Sequence, residues 1–305
     1  MEPLTAPIDR ELIENELTEN KFVRKTRNGN NLIYIFEHSN SPNLIKELGR
    51  LRELTFRDAG GGTGKALDID HFDINENPFM QLIVWNPNDK EIVGGYRFKH
   101  GSEFKTDASG EISSPTSELF QFSEKFITDY LPHTVELGRS FVQPQYQPQY
   151  NIRRGMYSLD NIWDGLGAIL VENPDVTYFF GKMTMFKNYN SFARDIILYF
   201  LQKHFPDPEN LLTAIKPVYL KTEKAILDVI FSGKNYEEDY KILFQKIRSM
   251  GENIPPLVNI YMNLSATMKT FGTATNDSFG EVEETGIMIK VSDIYQEKKE
   301  RHLSY

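Results

Sequence analysis

The stretch VELGRSFVQPQYQPQY, residues 135–150, reads as a buried strand that runs out into a proline-rich loop. Strict alternation puts Val135, Leu137, Arg139 and Phe141 on one face and Glu136, Gly138 and Ser140 on the other. A carboxylate and a guanidinium three positions apart then point in opposite directions. Gly138 stands between them, and a glycine inside a strand often marks a bulge. A bulge brings both side chains toward one cleft and frees backbone groups for a ligand. Without it, Glu136 and Arg139 are structural charges, or at most one of them serves a site. The residues alone leave both readings open.

Outward from this strand the pattern is mixed. NLIYIF (31–36) is a short β-rich run, and 41–59 carries Leu44, Leu48, Leu51 and Thr55 at helical spacing, with Ser41 or Asn43 as cap. MQLIVWN (80–86) and EIVGGYRF (91–98) flank the turn PNDK and predict a hairpin. A helix is expected near 116–130, then the opening strand at 134–142. Residues 158–174 predict a helix capped by Ser158, 176–185 a strand and 191–205 a helix ending at Pro206. Helices are expected at 208–231, 236–250 and 255–264, and strands at 270–277 and 286–294. The order predicts one α/β sheet packed by helices.

The chain has 305 residues, enough for one large domain or two small ones. Its formal net charge of −9 argues against general nucleic-acid binding, which needs a broad basic surface. Residues 1–20 form an acidic segment with six acidic residues and one basic. Residues 139–203 invert this locally, with seven Lys/Arg against five Asp/Glu, so a basic face that meets an acidic partner is expected there. There is no cysteine, which excludes disulfides, thiolate metal sites and a cysteine nucleophile. The histidines form no HxxxH or HExxH pair, so no metal site is expected. No apolar run is long enough to span a bilayer. The start does not have the basic-then-apolar pattern of a signal peptide. A cytoplasmic protein, with peripheral contact to the inner membrane as a further option, is the expectation. GGGTGK (60–65) has the glycines and lysine of a phosphate loop, but Ala66 follows the lysine and the segment follows a helix, so a mobile loop is expected.

Arg52 and Phe56 share one side of the first strong helix. Asp70 and Asp73 bracket His71–Phe72, and Arg97 ends EIVGGYRF. Taken in order with Glu136 and Arg139, these residues resemble a known group. An R-x3-F helix, a D-x2-D segment, a strand ending G-x-R and an E-x-x-R strand are the pattern of carrier-protein-dependent N-acyltransferases of the GCN5-related acetyltransferase superfamily. Two branches share it: acyl-homoserine-lactone synthases, and hemolysin-like amino-acid N-acyltransferases that make ornithine and glycine lipids. ELGRSFVQPQY (136–146) resembles the second branch at each of its ELGRS and V-x-P-x-Y positions. YFFGKMTMFKNY (178–189) resembles its FG-x-x-S-x-x-x-Y stretch, with Thr184 where serine is usual.

The resemblance implies a mixed, mostly antiparallel sheet flanked by helices. It places the acyltransferase domain at 21–305, with a helical insertion around 206–265. It implies transfer of a long-chain, 3-hydroxylated acyl group from acyl carrier protein to the α-amine of ornithine or glycine. Glu136 would be the base and Arg139 its catalytic neighbour. Arg52, Phe56, Asp70, Asp73, Arg97, Gly138 and Ser140 would bind substrate, with oxyanion-holding amides near Gly138 or Ser140. NIRRGMY (151–157) lacks the second glycine of a coenzyme A pyrophosphate loop. The phosphopantetheine arm of a carrier protein is therefore the expected donor, with no resident cofactor. Arg153, Arg154, Lys182 and Lys187 would meet the acidic carrier surface. Alternatives are a synthase of the lactone type using S-adenosylmethionine, which typically carries a tryptophan absent after Phe56, and a non-enzymatic lipid-binding or haemolytic protein.

Overall fold

The computed structural model describes residues 1–106 and 110–302. Its strands are β1 (Phe22–Lys25), β2 (Leu32–Phe36), β3 (Met80–Asn86), β4 (Glu91–His100), β5 (Phe120–Phe122), β6 (Thr134–Val142), β7 (Tyr178–Met185), β8 (Leu212–Ala214), β9 (Lys269–Asn276) and β10 (Val282–Lys290). Eight form one sheet in the order β1-β2-β3-β4-β6-β7-β10-β9, and β5 pairs with β8 separately. Neighbours in the large sheet run antiparallel except β6 and β7, which are parallel. The helices are α1 (Arg10–Glu16), α2 (Pro42–Asp58), α3 (His71–Ile74), α4 (Ile152–Gly155), α5 (Ser158–Glu172), α6 (Ser191–His204), α7 (Lys224–Ile230), α8 (Tyr236–Ser249), α9 (Pro256–Met262) and α10 (Gln296–His302).

Each face of the sheet is buried by periodic apolar residues. α2 lays Leu44, Leu48 and Leu51 against Ile83, Trp85 and Phe141. On the opposite face, α5 and α6 bring Ile162, Leu166, Ile196 and Phe200 onto Leu82, Tyr96 and Phe179. The 206–265 region joins that second core, because Leu227, Leu243, Ile247, Val258 and Met262 are buried in it. It is therefore packed into the sheet's helical layer. The acidic N-terminal segment is also docked. The Glu16 carboxylate accepts from the backbone N–H groups of Asn43 and Leu44 at 2.8–3.1 Å, capping α2 in place of the Ser41 or Asn43 side chain.

Two expected helices are replaced by other structure. The segment 116–130 forms β5 and then a wide helical turn at Phe126–Tyr130, and 208–231 forms β8 before α7. The two errors have one cause: Phe120–Phe122 pairs with Leu212–Ala214 across ninety residues of chain. Burial of Phe120, Leu211 and Leu212 beside Phe180 and Phe271 outweighs local propensity. α5 is not capped by Ser158 either. Tyr157 precedes it, while the Ser158 hydroxyl donates back to Arg154. Among the described residues, no helix is long and apolar enough to cross a membrane.

GGGTGK is held by a carboxylate. Buried Glu53 accepts from the Thr63 N–H and hydroxyl and from the Gly64 N–H at 2.8–2.9 Å. Those amides are the groups a phosphate would use, so the loop is pinned and its donors are occupied.

Candidate active site

β6 pairs with β7 only from Thr134 to Leu137, opposite Tyr178 to Gly181. Beyond that point β6 stays on β4 and β7 stays on β10, so the two strands part. At the parting, Gly181 has no room for a side chain: a Cβ would lie 2.5 Å from the Leu137 carbonyl oxygen. The gap is a cleft that passes through the sheet. Its apolar end is lined by Tyr96, Ile162, Trp163, Leu166, Tyr261 and Ile287. Its polar end is lined by Arg97, Arg139, Ser140, Lys182, Thr184 and Glu284.

The bulge in β6 exists, one residue later than expected. Gly95 opposes Phe141 and Arg97 opposes Gly138, so three steps on β6 face two on β4. Arg139 takes up the extra residue with φ of 52°, a left-handed conformation that costs a non-glycine residue about 1–2 kcal/mol. Gly138 is not in that region, and a Cβ there would meet nothing closer than 3.6 Å. Strain of this kind clusters at functional sites. It turns the Arg139 guanidinium over the Phe279 ring, 4.2 Å from its centre. Phe279 in turn meets Phe56 edge-on at 5.0 Å.

Three arginines and three aspartates interlock on this side. Arg52 reaches Asp68 at 2.8 Å and Asp73 at 3.1 Å. Arg97 grips Asp70 through two bonds of 2.7 and 2.9 Å and Asp73 at 3.1 Å. Arg139 lies 3.0 Å from Asp68 and 3.5 Å from Asp70. Burial alone would raise the Asp73 carboxyl, but Arg52 and Arg97 hold it far below the usual carboxylate range. Asp70 is lowered in the same way, burial being opposed by Arg97 and then Arg139. Asp70 and Asp73 also form the capping box of α3. Arg52 and Arg97 are each 1% exposed, and Arg97 Nε is buried without a hydrogen-bond partner. Expected as substrate ligands, Arg52 and Asp73 lie outside the cleft lining and brace the wall behind it, whereas Arg97 and Arg139 both line the cleft.

Glu136 does not share a cleft wall with Arg139. It is 2% exposed, and its Oε1 accepts from the Thr116 N–H at 3.1 Å and hydroxyl at 2.6 Å. Its Oε2 is buried without a hydrogen-bond partner. Lys182 stands between it and the cleft, donating to the Pro115 carbonyl at 2.8 Å and to Thr116 Oγ1 at 3.1 Å. Burial pulls the Lys182 ammonium down from its ordinary value, against the pull of Glu284 and Glu136. Lys182 was grouped with carrier-facing basic residues, but its head group sits in the cleft. Arg154 is engaged by Asp89 at 3.2 Å and Glu91 at 3.6 Å. Lys187 pairs with Glu281, and Arg153 is exposed on α4.

Sequence reasoning missed Asp68, Thr116 and Glu284. The first was legible as part of DID in DIDHFD. Glu284 belongs to no motif, but its partner Thr184 was singled out, and the Thr184 hydroxyl lies 3.4 Å from the Glu284 carboxylate.

A mixed sheet whose two central parallel strands part over a through-going cleft defines an acyltransferase of the GNAT class. The Acetyltransferase (GNAT) domain family matches residues 51–155. Two curated proteins named glycine N(alpha)-acyltransferase, from Phocaeicola vulgatus and Bacteroides thetaiotaomicron, are each 52% identical over 99% of this chain, covering 93% and 90% of their own lengths. The chain belongs to their family, the amino-acid N-acyltransferases. Among solved structures, a CoA-dependent acyl-homoserine lactone synthase with SAM and isopentyl-CoA is similar at 10% identity and a TM-score of 0.39, over 88% of this chain and 86% of that one.

Proposed function

We propose that this enzyme moves a long-chain, 3-hydroxylated acyl group from the phosphopantetheine arm of acyl carrier protein to the α-amine of glycine, an early step in making an amino-acid lipid. The through-sheet cleft carries the reading. Part of its lining is charged, as an amino acid requires, and the rest is aromatic and aliphatic, as an acyl chain requires. Parted strands offer unpaired amides and carbonyls to the two amides of a pantetheine arm, which would lie in the gap as a short extra strand. Amides near Gly138 and Ser140 would hold the oxyanion of the tetrahedral intermediate. Arg139 would take the glycine carboxylate in its fork while resting on Phe279. Glycine rather than ornithine follows the names of the two relatives.

The carrier would dock beside α4. There Arg153 stands next to exposed Ile152, Met156 and Tyr157, which suits a partner that is acidic around an apolar strip. In NIRRGMY the position of the missing second glycine is this exposed Tyr157. The test is incubation with 3-hydroxyacyl carrier protein or the matching acyl-CoA, each with glycine or ornithine, followed by mass analysis. N-acylglycine formed faster from the carrier donor is expected. A product made only from ornithine overturns the acceptor, and equal turnover of acyl-CoA overturns the donor.

A further inference from the structure

We infer that Glu284, on β10, is the carboxylate that receives the acceptor's ammonium and takes its proton, and that Glu136 is a positioning residue behind it. This rests on the acyl-transfer reading and names the base of that reaction. Among the residues lining the cleft, Glu284 is the one carboxylate; the others that ionise are Arg97, Arg139, Lys182 and the phenols Tyr96 and Tyr261. Asp68, Asp70 and Asp73 are all tied to arginines and lie outside the cleft lining, and the arginines leave Asp70 and Asp73 too weakly basic to remove a proton from an ammonium. Glu136 touches Thr116, which touches Lys182, so it meets the cleft only through them.

Glu284 also has capacity to spare. It is 5% exposed, yet its contacts are long: Thr184 Oγ1 at 3.4 Å, Asn276 Nδ2 at 3.3 Å and Lys182 Nζ at 3.9 Å. Bonds to a carboxylate are normally 2.7–2.9 Å. A buried carboxylate held at the edge of hydrogen-bonding range accepts a new charged donor with little rearrangement. The Lys182 hydrogens are meanwhile directed to Pro115 and Thr116. Register fixes the geometry, since Glu284 lies opposite Thr184 at the far wall of the parted strands, with Arg139 on the near wall. An amino acid bridging the two would present its carboxylate to Arg139 and its nitrogen to Glu284.

The step balances. A proton passes from the substrate ammonium to Glu284. The free amine adds to the thioester carbonyl, forming the C–N bond. Collapse breaks the C–S bond, and the nitrogen's second proton leaves with the thiolate as thiol. Glu284 then returns its proton to solvent.

The test compares two acceptors, glycine and aminooxyacetate, whose nitrogen is already unprotonated at neutral pH and which keeps a carboxylate. Glu284→Gln should lower kcat with glycine by about 10²–10⁴, leave KM for the acyl donor unchanged, and lose less than about tenfold with aminooxyacetate. Glu284→Asp, folded and with its carboxylate set back by one methylene, should fall between. Equal loss with both acceptors, or glycine turnover retained in Glu284→Gln, overturns the inference. So does a selective loss of glycine turnover in Glu136→Gln instead. Wild-type enzyme that acylates neither acceptor refutes the acyl-transfer reading itself, so the two failures are told apart.

Discussion

Asp73→Asn is the sharpest probe of the wall behind the cleft. Asp73 Oδ1 accepts from Arg52 Nη1 at 3.1 Å and Gln81 Nε2 at 3.0 Å, with Arg97 Nη1 also at 3.1 Å. Its Oδ2 accepts from Arg52 Nη2 at 3.2 Å and the Asp70 N–H at 3.0 Å. Every neighbour is a donor, so an asparagine amide must aim its NH₂ at other donors whichever way it turns. It also leaves Arg52 and Arg97 with fewer charges than they need, at 1% exposure. Removing one partner of a buried pair costs about 3–5 kcal/mol, a large part of the roughly 5–15 kcal/mol that holds a typical domain. At about 1.6 °C per kcal/mol, from an unfolding entropy of about 2.1 cal/mol/K per residue over the whole chain, the midpoint should drop by about 5–8 °C. Urea titration and thermal melting of the two proteins side by side measure it. A loss below about 1 kcal/mol would refute the view that these charges brace the sheet. The pH dependence follows from the same lowered carboxyls. Asp70 and Asp73 are depressed in the folded state, so the unfolded chain binds more protons as pH falls. Their stabilisation is complete above the unfolded aspartate range, near about pH 4–5, and is lost progressively below it. Asp73→Asn should show a shallower acid dependence than the wild type.

The parting of the strands predicts a contrast between two glycines. Gly181→Ala, forced against the Leu137 carbonyl, should destabilise by about 1–3 kcal/mol, whereas Gly138→Ala should melt like the wild type and show its effect in turnover, as a methyl group added to the cleft; equal melting of the two would refute the difference. Arg139→Lys keeps the charge but loses the planar fork over Phe279, and should raise KM for the amino acid by about tenfold or more, as for a lost charge-assisted bond, with the acyl-donor KM unchanged. Leu257→Trp, at the cleft lining supplied by α9, should move the preferred acyl donor to shorter chains, each excluded methylene being worth about 0.8 kcal/mol; an unchanged chain-length profile would place the acyl group elsewhere.

The sheet was legible wherever strand signals were local. The β3–β4 hairpin needed only two apolar runs and a turn, and α2 needed only its leucine spacing. β5 and β8 were illegible because each is a strand only by virtue of the other. The bulge could be anticipated from Gly138, but its left-handed residue could not: nothing in a sequence says that Arg139 will carry a conformation glycine would adopt more easily. The short motifs marked the right neighbourhood for a different reason than their chemistry suggested. Arg52, Asp70 and Asp73 lie near the cleft in a network of mutually neutralising charges, and Arg97 joins that network from the cleft lining.

That division of labour bears on which carboxylate acts. A base must be ionised, reachable and not already spent on a stronger partner. Neutralisation by arginine removes the aspartates from contention, and enclosure behind Thr116 and Lys182 removes Glu136 from direct contact. What remains is a glutamate on the second-last strand of the sheet, contributed by a part of the chain with no motif. It reaches the site because β10 runs the whole length of β7, from Glu283 opposite Met185 to Lys290 opposite Tyr178. β7 keeps that partner where it loses β6. The strand that supports the open edge of the cleft is thereby the strand able to place a proton acceptor in it. Parting from β6 and continued pairing with β10 are then two consequences of one geometry.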